Sequence, residues 1–303
     1  MKYDEQTIQE IVELKQDGMS SRDIATLLGV SKSGVNDAYN RLKEQDLGFP
    51  KILFLDIETA PDVAAVFGRR KQNISQDAVI QEGGWIISAA WKWQSGKTVM
   101  SEVLTPSEAS TQDDYMLCWM LYDILEEADA VVAHNGINFD IPVIKARLAK
   151  HGFAAMKKVK IIDTLKIARQ LRFQSNKLDS LGVTLGCGRK QKHSGIQLWI
   201  DCMKGNQEAL DEMQRYNEQD VVLLEQVYNK LKAYDSNPVN IAQYYNDSKQ
   251  RCSVCGSEHL KETGNFVYTQ ISKFAELQCE DCGARSRTRQ QLNTKEKRSN
   301  FLM

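Results

Sequence analysis

Lys51-Ile52-Leu53-Phe54-Leu55-Asp56-Ile57-Glu58 is the stretch from which the fold of this chain is read. Its apolar run has the character of a strand buried on both faces in the centre of an α/β sheet, and the run ends in acid. Asp56 and Glu58 are two residues apart, so both side chains leave the same face of that strand. Two carboxylates projecting together repel each other, and hard-oxygen ligation of Mg²⁺ or Mn²⁺ relieves the repulsion. An isolated Asp-x-Glu is more often a solvated surface pair, so its meaning depends on the rest of the chain.

Downstream, Trp85 to Trp93 predicts a second strand, and Lys97 to Leu104 pairs with it as a hairpin across Ser95-Gly96. Tyr115 to Glu127 reads as a helix, Ala130 to His134 as a strand, Ile141 to His151 as a helix and Gln207 to Leu231 as a long final helix. Strands alternating with helices indicate a layered α/β sheet. Leu47-Gly48-Phe49-Pro50 and Asp235-Ser236-Asn237-Pro238 bound this domain, which we place at residues 51–235. Within it, Val131 to Asp140 is another apolar strand running through polar residues to an acid at a helix start, at the sheet edge where ligand groups gather in open α/β folds. Tyr216-Asn217-Glu218-Gln219-Asp220 sets a phenol and a carboxylate four apart on one helix face.

Taken in order, these residues resemble the proofreading-type 3′→5′ exonucleases of the RNase H-like superfamily, the four-acid (DEDD) group. The first motif, Asp-x-Glu, matches Asp56 and Glu58; the second, Asn-x-x-x-Phe-Asp, matches Asn135 to Asp140; the third, Tyr-x-x-x-Asp, matches Tyr216 to Asp220. Arg215 stands where the histidine branch has His, so the resemblance is to the tyrosine branch. Ile162 to Lys166 and Ser175 to Leu181 look like linking segments of phage-borne and bacterial relatives of the family-B DNA polymerase proofreading domain. The resemblance implies an RNase H-like mixed sheet flanked by helices and a site holding two Mg²⁺ or Mn²⁺ ions about 3.5–4 Å apart. It gives Asp56 the bridging position, Glu58 and Asp220 the ion that carries the nucleophile, and Asp140 the second ion, partly through waters. Tyr216 then orients the attacking water, because a phenol titrating near ~10 is a poor base at neutral pH.

Other residues near these motifs have competing readings. Asn135 matches the family motif as a contact to the terminal nucleotide, or satisfies local backbone; His134 reads more readily as the latter. Asp163-Thr164 reads as a helix cap, Trp85, Trp91 and Trp93 as packing, and Arg69-Arg70-Lys71 as a solvated charge run rather than a phosphate grip.

The flanks carry separate signals. Cys252-x2-Cys255 and Cys279-x2-Cys282 have the two-knuckle spacing of a zinc ribbon, with one structural Zn²⁺ held by four thiolates. His259 lies outside that spacing, and Cys118, Cys187 and Cys202 read as small packing groups. From Lys249 to Met303, ten Lys/Arg face six Asp/Glu, a net of +4.

At the other end, residues 1–47 read as a helix-turn-helix. Ile8, Ile11 and Val12 face inward, Gly18 stops the first helix, Ser20 or Ser21 caps the second, Gly29 turns, and Ser31 caps a third helix with Val35, Ala38, Tyr39 and Leu42 on one face. Lys32, Ser33, Asn36, Asp37, Asn40 and Arg41 are expected to point outward. Ser21 to Val35 resembles resolvase-like and sigma-factor-like units, which makes Lys32, Ser33 and Asn36 candidate nucleic-acid contacts. Six Lys/Arg against nine Asp/Glu, a net of −3, is poor electrostatics for that task and leaves protein contact open.

The whole chain of 303 residues is 42% hydrophobic and 26% charged with a net charge of −1, which excludes global disorder and gives no overall attraction to nucleic acid. No apolar run approaches the ~20 residues of a membrane helix. The expectation is a cytoplasmic protein, in host cytoplasm if phage-encoded, with three parts: the helix-turn-helix, the exonuclease domain, and the ribbon with its basic tail at 249–303. Its expected activity is 3′→5′ hydrolysis of DNA ends, single-stranded or frayed, in replication, proofreading or repair, with replication proteins as possible partners. The alternatives are an RNA-processing exonuclease and a DNA-binding regulatory or scaffold protein with an inactive nuclease fold.

Overall fold

The structure, a computed structural model, describes residues 5–32, 34–36, 39, 49–68 and 73–301. Ser33, Asp37, Ala38, Asn40, Arg41, Leu42 and the Arg69-Arg70-Lys71 run lie outside the described residues.

The first elements are α1 (Glu5–Gln16) and α2 (Ser21–Leu28). Gly18 follows α1 at φ +89°, a left-handed conformation that an L side chain rarely adopts. Ser20 caps α2 by accepting the Asp23 N–H, and Ser31 accepts the Gly34 N–H at 3.0 Å, the cap expected for the third helix. Ile11, Ile24, Val35 and Tyr39 form the buried centre of this unit.

The unit leans on the α/β part of the chain. Lys15 pairs with Glu127 at 2.7 Å, and the Lys32 ammonium and Arg22 guanidinium lie 3.6 and 4.5 Å from the Trp119 ring centroid. The outward orientation expected for Lys32 is therefore corrected. A helical pattern separates an apolar face from a polar one, but does not separate solvent from a neighbouring aromatic surface.

The α/β part contains β1 (Ile52–Thr59), β2 (Val63–Ala64), β3 (Val79–Gln81), β4 (Ile86–Trp93), β5 (Met100–Val103), α3 (Pro106–Thr111), α4 (Tyr115–Glu127) and β6 (Ala130–Ala133). It continues with α5 (Asp140–Lys150), β7 (Lys160–Asp163), α6 (Thr164–Leu171), α7 (Leu178–Thr184), α8 (Ile196–Met203) and α9 (Gln207–Leu231). The main sheet has the order β5-β4-β1-β6-β7, with β4 antiparallel and β6 parallel to β1. This is the expected mixed sheet flanked by helices, with β1 at its centre.

The two-residue period of β1 sorts its side chains between two cores. Leu53, Leu55 and Ile57 pack with Leu117, Leu121 and Leu125 of α4 and Ile144 of α5, whereas Ile52 and Phe54 pack with Val221, Leu224 and Val227 of α9. Asp56 and Glu58 continue the second row, so the strand period alone directs both acids toward the α9 side. Trp85, Trp91 and Trp93 are buried in the first core, in keeping with their reading as packing residues.

One buried ion network braces the sheet. Asp114 receives Arg147 through two hydrogen bonds of 2.6 and 2.7 Å, the Ile86 N–H at 2.9 Å and His151 at 2.6 Å. Burial alone would push the Asp114 carboxyl up; Arg147 and the other donors hold it below the usual range. Asp114→Ala leaves Arg147 buried without its anion and is expected to cost about 3–5 kcal/mol, read from urea unfolding. A loss below about 1 kcal/mol, the size of an exposed pair, would show that the network carries no such weight.

The last elements are β8 (Leu260–Tyr268), β9 (Lys273–Cys279), β10 (Arg285–Gln291) and α10 (Lys295–Ser299), with the strands forming an antiparallel sheet in the order β10-β9-β8. The cysteine end of this sheet is seated just beyond α9. Ala233 packs with Cys252, Val254 and Cys279, and the Ile241 N–H donates to the Ser253 carbonyl at 2.7 Å. Among the described residues, no helix is long and apolar enough to cross a membrane.

Candidate active site

β1 and α9 supply three carboxylates to one place: an oxygen from each of Asp56, Glu58 and Asp220 lies within 4.8 Å of the others. Asp140 joins from the first turn of α5. Its Oδ1 accepts the Ile57 N–H, the amide between the two strand acids, at 3.3 Å. Tyr216, one helical turn before Asp220, is buried at the edge of the same cluster.

The connection from β6 to α5 holds Asp140 in reach. Asn135 takes the left-handed conformation at φ +71°, and at Gly136 any Cβ would come within 2.5 Å of the Ala133 methyl. Asp163 accepts the N–H groups of Asn135 and Ile137 while also capping α6 through those of Leu165 and Lys166. The capping role read from the sequence is thus present, and the same carboxylate also pins the second-motif loop. His134 lies between Thr164 Oγ1 at 2.9 Å and the Asn176 carbonyl at 3.0 Å, and burial pushes its imidazole down. Both ring nitrogens are engaged, which favours the structural reading of His134. The Asn135 side chain accepts from Asn138 Nδ2 at 3.3 Å.

The electrostatics are those of an acid cluster short of cations. Burial pushes Asp56 well up, and Asp140, Asp220 and Glu58 add repulsion in the same direction. Burial likewise raises Glu58 to about 7 and Asp140 to about 7. Asp220 is raised by burial against the pull of Lys190, and its Oδ1 is buried without a hydrogen-bond partner in the structure. An orphaned carboxylate oxygen amid hard oxygen donors fits Mg²⁺ or Mn²⁺.

Several participants escaped the sequence reading. Lys190, from the loop between α7 and α8, places its ammonium on Asp220 Oδ2 and 3.0 Å from the Tyr216 hydroxyl. Asn217 donates to Asp56 Oδ2 at 2.7 Å and accepts from Ser88 Oγ at 3.0 Å, fixing the central acid from behind. His193 and Trp199 set their ring edges against Tyr216, with centroids 5.0 and 6.1 Å away. For Asn217 the signal was present, because it lies inside the third motif. Lys190 sits in a polar loop with no pattern to mark it.

Lys190→Ala is expected to lower the melting temperature in buffer free of Mg²⁺ and Mn²⁺, since Asp220 then loses its cation. Added Mn²⁺ should raise the melting temperature more than in the unsubstituted protein, because the ion no longer competes with an ammonium. Equal Mn²⁺ shifts in the two proteins would refute the competition.

The four ribbon cysteines form the second ligand group. Cys252 and Cys282 have their sulfurs 3.7 Å apart and Cys255 and Cys279 3.6 Å apart, close to the edge of about 3.8 Å in a tetrahedron of ~2.3 Å Zn–S bonds. The hydrogen bond between Cys252 and Cys255 pulls one thiol down and pushes the other up, so the pair sheds its first proton readily and holds its second. His259 is exposed and pairs with Asp281, outside this group. A third grouping, Asp114, Cys118 and His151, is already occupied by the Arg147 guanidinium, which would repel a metal ion.

Residues 83–232 match a family model of the RNase_H superfamily, and the mixed sheet flanked by helices is consistent with an RNase H-like fold. The matched stretch begins after β1 and includes Asp140, Tyr216 and Asp220. Among solved structures, the family B DNA polymerase from the hyperthermophilic archaeon Pyrobaculum calidifontis is similar at 14% identity and a TM-score of 0.45, over 61% of this chain and 25% of that chain. The chain therefore spans about a quarter of that polymerase. No curated protein matches the sequence.

Proposed function

We propose that this protein is a two-metal-ion 3′→5′ exonuclease acting on DNA 3′ ends in replication, proofreading or repair. The observation that carries the reading is the convergence of Asp56, Glu58 and Asp220 within 4.8 Å, with a buried oxygen of Asp220 left unpartnered. When bound, a pair of Mg²⁺ or Mn²⁺ ions supplies Lewis-acid charge for activating water and for stabilising the leaving 3′ oxygen.

Asp56, held in place by Asn217, would serve both ions. Glu58 and Asp220 would hold the ion that activates the water, and Asp140, whose carboxylate accepts the Ile57 N–H, would serve the other. Burial pushes the Tyr216 phenol up to about 12, so its hydroxyl keeps its proton and orients a water rather than deprotonating it. The Lys190 ammonium, paired with Asp220, is the cation that this chain itself would offer to the negative charge of a scissile phosphate. Four thiolates at 252, 255, 279 and 282 would hold one structural Zn²⁺. The candidate contacts Lys32, Ser33 and Asn36 add nucleic-acid binding only if Lys32 leaves the Trp119 ring.

The test uses 5′-labelled single-stranded DNA, duplex DNA and RNA with Mg²⁺ or Mn²⁺, alongside Tyr216→Phe. The expected result is a stepwise ladder shortened from the 3′ end of DNA, slowed roughly 10²-fold in Tyr216→Phe, the size of loss that misplacing a reacting group produces. Preferential shortening of RNA would move the protein to the RNA-processing class. A folded, metal-supplied protein that cleaves no substrate would leave the scaffold reading.

A further inference from the structure

We propose that the β8–β9–β10 sheet is a binding surface for single-stranded nucleic acid, with Phe266 and Tyr268 as a stacking platform and Lys273 as its phosphate partner. Only the identity of the bound strand as substrate rests on the exonuclease reading; the binding itself does not.

The register places the three groups together. Phe266 lies opposite Ala275 and Tyr268 opposite Lys273, so both rings and the ammonium share one face of the sheet. The rings are 43% and 67% exposed, and neither belongs to a buried hydrophobic cluster among the described residues. Lys273 lies 3.4 Å from the Phe266 centroid and 5.9 Å from that of Tyr268. Residues two apart on a strand are separated by about 6.7 Å, roughly twice the ~3.4 Å spacing of bases along a stacked strand, so each ring can take its own base.

The opposite face is basic but carries its ring, Phe274, buried. Lys261, Gln278 and Arg285 form one cross-strand row, and the Arg287 guanidinium lies 3.8 Å over the Phe274 ring. Of the six acids from residue 249 onward, Glu258 is engaged with Lys249 and Arg251, Glu276 with Arg285 and Asp281 with His259, while Glu262, Glu280 and Glu296 have no ion-pair partner among the described residues and leave the cations in excess. Lys261, Lys273, Arg287 and Arg289 have no ion-pair partner among the described residues. Uncompensated cations beside exposed rings match a polyanion that offers unpaired π-faces, which a single strand does and an intact duplex does not.

The measurement is fluorescence anisotropy of 5′-fluorescein-labelled (dT)30 with the full chain carrying Asp56→Asn, so that binding is read without cleavage. Adding Phe266→Ala and Tyr268→Ala is expected to weaken binding tenfold or more, with zinc content and circular dichroism unchanged. Lys273→Ala should reduce the slope of log affinity against log salt by about 1. Affinity of the double variant within twofold of its parent, or equal affinity of the parent for a duplex of the same length, would overturn the proposal. Hydrolysis is scored separately with Asp56 restored. A protein that binds (dT)30 through these rings but cleaves nothing would sink the exonuclease reading and leave this one standing.

Discussion

Asp56→Asn is expected to lower phosphodiester hydrolysis by roughly 10³-fold or more, about 4 kcal/mol of transition-state stabilisation. Its position explains the size of the effect. It is the acid nearest the centre of the cluster, it is fixed by Asn217, and burial and three neighbouring carboxylates already oppose its ionisation. Asparagine keeps the shape and leaves an oxygen for Asn217 but removes the charge that a bridging ligand must supply. The same substitution relieves repulsion, so in buffer free of Mg²⁺ and Mn²⁺ the variant should melt higher than the unsubstituted protein. Inactivity together with a raised melting temperature separates a lost ligand from a damaged fold. Activity within tenfold of the unsubstituted protein would remove Asp56 from the metal site.

The second large effect concerns the ribbon. Metal analysis is expected to find about one Zn²⁺ per chain, and Cys279→Ser to abolish it. Structural zinc sites in small units carry an apparent ~10–16 kcal/mol of binding free energy that is also folding free energy. The buried cluster at the cysteine end consists of Cys252, Val254, Cys279 and Ala284, and β9 adds only Phe274 and Leu277, little apolar surface to hold three strands without the ion. Limited proteolysis should therefore cut Cys279→Ser within residues 250–300 while leaving the main sheet resistant. An intact ribbon with no bound metal would overturn the assignment.

Much of the fold was legible because β1 is an extreme sequence: an apolar run that only a central strand accommodates, ending in acids that the two-residue period sends to one side. The boundaries read for α9 coincide with the helix observed, since its apolar positions recur without interruption from Leu210 to Leu231. The hairpin of β2 and β3 and the short helices α7 and α8 were not read as elements, and of α6 only the cap at Asp163-Thr164 was. Their few residues are held by contacts distant in sequence rather than by a pattern of their own. Within the site, the acids and Tyr216 were visible because motif spacing is a property of single elements. Lys190 reaches Asp220 across 30 residues and Ser88 reaches Asn217 across 129, pairings that no local periodicity encodes. Lys32 shows the converse limit, because a polar helical face is written identically whether it meets water or the ring of Trp119.

The unbroken helix α9 also fixes a phase. Asp220 and Leu231 are eleven residues apart on it, about 16 Å along the axis, and the ground on which the ribbon stands begins directly after Leu231. A rod of this kind transmits rotation as faithfully as distance. One residue inserted between those positions would advance everything downstream by only ~1.5 Å but turn it through about 100°. The same turn would carry the helix's apolar residues beyond the insertion off the core they share with Ile52 and Phe54, so the seat of the ribbon and the packing under β1 are set by one phase.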